Sequence, residues 1–428
     1  MLIIRLFAYY CSLIYWHNAS VDSTKKMQIK KFNNLFQYAC RNSEFYHHLY
    51  KEAGVLNLKI NSFDDIKKIP IIDKSILKKY SIDKIITTAI TPKLNQHMTS
   101  GSSGEPFKIY FDKYSDYSAH IRVFFALRKI AHYNPLKKIT LITRYEENDQ
   151  FQVEGDLSLI SKLQRFLGIF QREIISIYSD PDYIIDRIYN SSPYILWSTP
   201  SILEIVVNRM IEKNISMQIP FLFFTSENLS PQQYSKFNTH LSKNIVDIYG
   251  AMESPCLGFE LNKCGQRIVY PNSNLFEIIN LRNTEYGESG DVIITNLMNY
   301  TMPIIRYDLK DICMTLNTPG FPNKEIGEIV GRIDDILEFA DGTKFAHHHA
   351  YEMFMDFEEC DHYKIVQLKD KTIQLQIKPN PKFMQQDVIE KAHQRWNKRF
   401  PEKKIEIILS DKFEINPLTG KFKNIEKL

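Results

Sequence analysis

Five stretches of the chain combine residue types at spacings that could do chemistry. Thr99-Ser100-Gly101-Ser102-Ser103-Gly104-Glu105-Pro106 packs hydroxyls and two glycines into eight residues. Glycine lets backbone N–H groups approach phosphate oxygens, and the hydroxyls donate further hydrogen bonds. Gly104 is followed by Glu105-Pro106 rather than Lys-Ser/Thr, which excludes the usual nucleotide-triphosphate loop of kinases and GTPases. A solvated turn is the competing reading. Asp247-Ile248-Tyr249-Gly250-Ala251-Met252-Glu253 carries an apolar run into a glycine corner with an aromatic and a carboxylate at its end. Glu253 suits Mg²⁺ and Tyr249 suits stacking on a base. A surface glutamate and a packed tyrosine account for this segment equally well.

Three further segments follow. In Pro303-Ile304-Ile305-Arg306-Tyr307-Asp308-Leu309-Lys310-Asp311, the Asp311 carboxylate can accept both hydroxyls of a ribose, or pair with Lys310 or Arg306. Gly331-Arg332-Ile333-Asp334-Asp335 reads as a hinge or as a plain linker. Pro417-Leu418-Thr419-Gly420-Lys421-Phe422-Lys423 reads as a placed cation or as a basic tail.

The elements that must position these residues can be read from periodicity. Short apolar runs at 139–145, 173–179, 194–199, 221–227 and 244–250 read as strands, with helical segments near 156–169, 182–190, 200–213 and 231–242 between them. This alternation predicts an α/β fold with layered, largely parallel sheet. Residues 25–50 show one long helical pattern. After about residue 265 the texture becomes hairpin-rich β, and after Gly331 a short α+β region follows. The expected organisation is a large N-terminal domain, 1–331, of layered sheets and helices with a β-rich part, and a small mobile α+β lid, 332–428.

Composition narrows the function classes. The 428 residues are 44% hydrophobic and 24% charged, enough apolar content for a large core. A net charge of +4 gives no reason to expect a nucleic-acid partner. Six dispersed cysteines with no C-x-x-C pair favour a reducing, cytoplasmic compartment over a disulfide framework. The opening run MLIIRLFAYYCSLIYW is too short and interrupted to span a bilayer and lacks a small-residue cleavage site. It reads as a helix docked on the protein surface, with peripheral membrane contact through residues 1–16 as the other reading. Adjacent His347-His348-His349 do not share a helix face, which argues against a metal site made of those three alone.

Taken in order, the T-S-G-S-S-G-E-P loop, the D-I-Y-G-x-x-E strand end, P-I-I-R-Y-x-x-x-D, G-R-x-D-D and T-G-K-F resemble the adenylate-forming superfamily of acyl-CoA synthetases, peptide-synthetase adenylation domains and luciferases. Within it, the pattern is most like the phenylacetate–CoA ligase family and its capsular-polysaccharide-biosynthesis branch. Ser43-Glu44-Phe45-Tyr46 and Ile69-Pro70-Ile71-Ile72-Asp73-Lys74 resemble that branch's opening, so the likeness covers roughly residues 30–428.

The resemblance implies ATP-dependent activation of a carboxylic acid to an acyl-adenylate, with ATP and Mg²⁺ required. Transfer would follow to CoA, a carrier thiol, or an amine or hydroxyl of a sugar precursor; a non-catalytic role in a capsule-assembly complex is the alternative. It implies that Thr99, Ser100, Gly101, Ser102, Ser103 and Gly104 hold phosphates, and that Ser226 and Glu227 line the adenine pocket. Asp247, Tyr249, Gly250 and Ala251 would meet the nucleotide, Glu253 would bind Mg²⁺, and Asp311 the ribose. Arg332 would lie near ribose and phosphates, and Lys421 would reach the carboxylate and α-phosphate. The chain departs from the pattern after Cys264, where RIVYP brings no histidine, and at 346–349, where Ala346 and three histidines replace a proline-rich run. Aromatic residues around His120, Phe124, Phe125 and Trp197 suit either an acid pocket or core packing.

Overall fold

A computed structural model describes residues 2–91, 93–98, 107–143, 172–284, 287–316, 324–333, 337–345, 347–354, 357–411, 413 and 422–428. They fall into two compact units. One comprises Met1–Tyr133, Ile248–Glu260 and Cys264–Ile329; the other comprises Asn134–Asp247, Leu261–Lys263 and Val330–Leu428.

The first unit begins with helices Leu2–Asn18, Val21–Asn42 and Glu44–Glu52. The single helical pattern expected over 25–50 is broken at Ser43, whose extended backbone ends one helix while its hydroxyl accepts from Tyr46 N–H to start the next. Strands Asn95–Met98 and Lys108–Phe111 pair antiparallel, with Met98 opposite Lys108. The Ser/Gly-rich stretch, Thr99 to Gly104, lies outside the described residues.

The expected hairpin-rich region is an antiparallel meander of Asn274–Thr284, Gly287–Asn296 and Ile304–Met314. Its buried side chains share one core with Phe32, Leu35, Phe36, Tyr46 and Tyr50 from the N-terminal helices. The Ile69–Lys74 segment docks on this meander. Ile72 N–H donates to Arg306 O (3.0 Å), and Asp308 N–H donates to Ile72 O (2.8 Å). Arg306 holds a left-handed φ of +47°. Its buried guanidinium pairs with Glu277 and also donates to the Lys67 and Ile69 carbonyls.

In the second unit, strands Ile139–Thr143, Arg172–Ser176, Ile195–Ser198 and Phe221–Thr225 form a parallel sheet in which Ile139–Thr143 lies between the second and third. Helices Pro181–Ser191 and Pro200–Glu212 connect the last three of these strands in chain order, and Pro231–His240 follows the last; each starts on proline at its first turn, where a missing N–H costs nothing. The helix expected near 156–169 lies outside the described residues. Leu196, Leu222 and Phe224 with Val206, Val207 and Phe237 form the core between sheet and helices.

Residues 337–425 build a separate core around Trp396, Phe345, Ile365, Leu375 and Ile377. Ile373, Leu375 and Ile377 alternate inward as their spacing predicts, and Val388, Ala392 and Trp396 form the buried face of helix Gln385–Arg399. His349 is part of this packing, its ring against Phe345 and Phe400. The mixed α/β class expected from the sequence is the class observed.

Candidate active site

Strand Ile245–Ala251 delivers Tyr249 and, at the turn that follows it, Glu253. The turn is tight. A Cβ on Gly250 would sit 2.9 Å from the Cys256 backbone nitrogen, so any other residue here forces the backbone apart. The turn is also held from outside. Asn296 Nδ2 donates to Glu253 O (3.0 Å), and the Ser254 hydroxyl donates to Asn274 Oδ1 (2.6 Å). Buried Arg122, from helix Lys113–Ala131, donates to the carbonyls of Pro255 and Cys256.

Strand Ile304–Met314 supplies the other half of the arrangement. Tyr249 Oη donates to Asp311 Oδ2 (2.8 Å), and Tyr307 Oη donates to Glu253 Oε1 (2.8 Å). Each motif thus gives a phenol to the other's carboxylate. Tyr249 and Tyr307 are buried, and Glu253 is only 8% exposed. Burial, reinforced by the Asp311 charge, pushes the Tyr249 phenol well above its ordinary range, so it stays a neutral donor across working pH. The partners that would have made Asp311 an ordinary surface ion pair are engaged elsewhere: Lys310 with Asp308 and Asp73, Arg306 with Glu277. Tyr249, Gly250, Ala251, Glu253 and Asp311 are therefore gathered in one unit. Tyr307 is the residue that sequence reasoning passed over, although it sits inside a motif already singled out.

Ser226, Glu227, Asp247 and Arg332 lie in the other unit. Ser226 follows strand Phe221–Thr225 with a φ of +76°, a left-handed conformation that strains a non-glycine residue and recurs at ligand sites. Glu227 uses its carboxylate structurally. One oxygen accepts from Ser201 N–H (2.9 Å) and from the Ser201 hydroxyl (2.5 Å), capping helix Pro200–Glu212, whose own N-cap Thr199 makes no side-chain cap bond. The other oxygen accepts from Phe422 N–H (3.1 Å). Asp247 and Arg332 are partly buried near the ends of strands Ile245–Ala251 and Ile329–Arg332. Lys421 and Asp334 lie outside the described residues.

Of the aromatic residues considered for an acid pocket, Phe124 and Phe125 pack on Tyr10 of the N-terminal helix, and Trp197 packs on Phe223 of the neighbouring strand. Among the described residues, no group of three or more His, Cys, Asp or Glu gathers as a metal cage.

No family model matches the chain. Phenylacetate-coenzyme A ligase of Pseudomonas putida is 22% identical to it over 333 residues, 74% of this chain and 73% of that protein. Protein CapK of Staphylococcus aureus is 24% identical over 328 residues, 73% of this chain and 69% of that protein. The solved structure of 2-hydroxyisobutyryl-CoA ligase in its postadenylation state, in complex with R3-HIB-AMP, matches the fold with a TM-score of 0.71. The identity is 15%, over 94% of this chain and 89% of that one. Over about three quarters of its length the chain is thus similar to the phenylacetate–coenzyme A ligases and to CapK, and it shares the fold of an acyl-CoA ligase.

Proposed function

We propose that this protein uses ATP to activate a carboxylic acid as an acyl-adenylate and passes the acyl group to coenzyme A. The observation that carries the proposal is the Tyr249–Asp311 and Tyr307–Glu253 interlock, which holds two carboxylates ready for a nucleotide's diol and its counter-ion. The substrate carboxylate attacks the α-phosphorus and pyrophosphate leaves. The acid is already ionised, so no general base is required; the demand is for charge neutralisation between two anions.

Asp311 holds the ribose, Tyr249 covers the adenine, and Lys421 brings an ammonium to the reacting oxygens. Thr99 to Gly104 cradle the leaving phosphates, and Arg332 approaches ribose and phosphate. Mg²⁺ fits the donor set. Glu253 offers a hard carboxylate oxygen, and Mg²⁺ binds through one or two carboxylates plus substrate phosphates rather than an all-protein cage. When bound, it neutralises phosphate charge. Residues 332–428 act as the small domain that excludes water from the mixed anhydride; the separate core of residues 337–425 supports that division. The six free cysteines suit a reducing cytoplasm.

The CapK relationship supports a second reading for the acceptor: an amine or hydroxyl of a sugar precursor replaces the thiol. The test is pyrophosphate release over a panel of carboxylic acids, with hydroxylamine trapping the activated acyl group. Acid-dependent release is expected, and adding CoA or aminosugar acceptors then separates the two readings. Release from no acid in an aromatic and aliphatic panel would leave a non-catalytic role in an assembly complex.

A further inference from the structure

The helix Leu2–Asn18 has two apolar faces and the protein uses one of them. On the docked face, Tyr9 Oη is 2.6 Å from Ser273 Oγ, Tyr10 packs on Phe124, and the Arg5 guanidinium lies 4.0 Å from the Tyr114 ring centroid. Lys324 caps the helix C-terminus through the His17 and Ala19 carbonyls. The helix is thereby fixed in orientation. Ile3, Ile4, Phe7, Cys11, Ile14 and Tyr15 are left facing outward. Ile4, Phe7 and Tyr15 are 73%, 68% and 62% exposed. At 3.6 residues per turn, these six positions fall within an arc of about 120°. A contiguous outward apolar stripe of this kind marks an interaction surface rather than scattered exposure.

Charge decides the occupant. The helix contains no Asp or Glu, and residues 1–31 hold five Lys or Arg against one Asp. Lys31 is turned inward onto the Asn272 carbonyl (2.6 Å), while Lys26 and Lys30 are exposed on the adjoining helix Val21–Asn42. A second copy meeting this face would bring like charges together; anionic headgroups complement them. Tyr15 ends the stripe with a ring suited to the headgroup level. Among the described residues no helix is long and apolar enough to cross a membrane, so the helix would lie in the surface plane.

We propose that the outward face of helix Leu2–Asn18 is a docking surface for an anionic membrane, bringing the protein reversibly to the bilayer. The assay is flotation of the full chain with phosphatidylcholine vesicles, with and without about one-third phosphatidylserine. Binding is expected only to the anionic vesicles, weakening as salt rises toward about 0.5 M. Ile4→Ser with Phe7→Ser should reduce vesicle binding at least about tenfold, since both side chains are exposed and their loss empties no core. Lys26→Glu with Lys30→Glu should reduce it as well without changing the thermal midpoint. No flotation, equal flotation with neutral vesicles, or serine variants that bind as the parent does would overturn the proposal. A dimer in solution that Phe7→Ser dissolves would assign the face to a second copy and overturn it too.

Discussion

Tyr307→Phe tests the interlock with the loss of a single oxygen. The Tyr307 ring is 3% exposed and its hydroxyl lies 2.8 Å from Glu253 Oε1, so phenylalanine keeps the packing and removes only the donor. A hydrogen bond to a charged group contributes about 1.5–3 kcal/mol. If the bond serves to hold the carboxylate in its working orientation, that energy converts at 1.36 kcal/mol per decade to a loss of about 10- to 150-fold. The assay is carboxylate-dependent ATP–pyrophosphate exchange, run with a Mg²⁺ titration. Tyr307 acts through Glu253, so the double variant with Glu253→Gln should lose no more than Glu253→Gln alone. Urea unfolding, measured beside it, should show a stability loss of no more than about 3 kcal/mol. Exchange at parental rate, or losses that add fully in the double variant, would refute the reasoning.

Lys421→Ala should lower the same exchange at least about 100-fold while ATP binding survives, and unchanged exchange would remove Lys421 from the reaction. Glu227→Ala removes both the cap on helix Pro200–Glu212 and the anchor on Phe422 N–H, so stability should fall by about 1–2 kcal/mol and exchange with it. Glu227→Gln keeps one acceptor oxygen and should fall between alanine and parent; two variants indistinguishable from the parent in urea and in exchange would show the carboxylate to be idle. Asp116 carries a pH signature. Burial opposes its ionisation, but hydrogen bonds from His97 (2.7 Å) and Asn95 (2.6 Å) outweigh it and hold the carboxyl below its ordinary value. A lowered acid stabilises the fold above its unfolded pKa of about 3.9 and loses that contribution as pH falls through the folded value. The urea-midpoint gap between parent and Asp116→Asn should therefore be widest near neutrality and close below about pH 4; a gap that does not change with pH would refute it.

The sequence revealed features whose cause is local. The strands of the second unit overlap their apolar runs, with ends within about three residues, because a strand covered on both faces must be apolar throughout. Tyr249, Glu253 and Asp311 were legible as motifs, since a glycine corner and a terminal carboxylate are local signals. Their interlock was not: which phenol meets which carboxylate depends on how two strands, about 60 residues apart in the chain, face one another. The break at Ser43 was missed because apolar periodicity continues through it, and only the capping hydroxyl marks the join. The resemblance puts Glu227 at the adenine pocket; the partners of its carboxylate, Ser201 and Phe422, are ones that only the fold brings near.

The docking of Ile72 on the Arg306 strand has a consequence for how the chain is made. Arg306 reaches the Ile69 carbonyl across 237 positions of sequence. At translation speeds of about 5–20 residues per second, the Ile69–Lys74 segment leaves the ribosome roughly 10–50 s before its partner exists. Throughout that interval the aromatic faces of the three leading helices have no meander to cover them. Nascent chains stopped short of Met314 should therefore be chaperone clients, and the last strand to emerge governs when the first helices can settle.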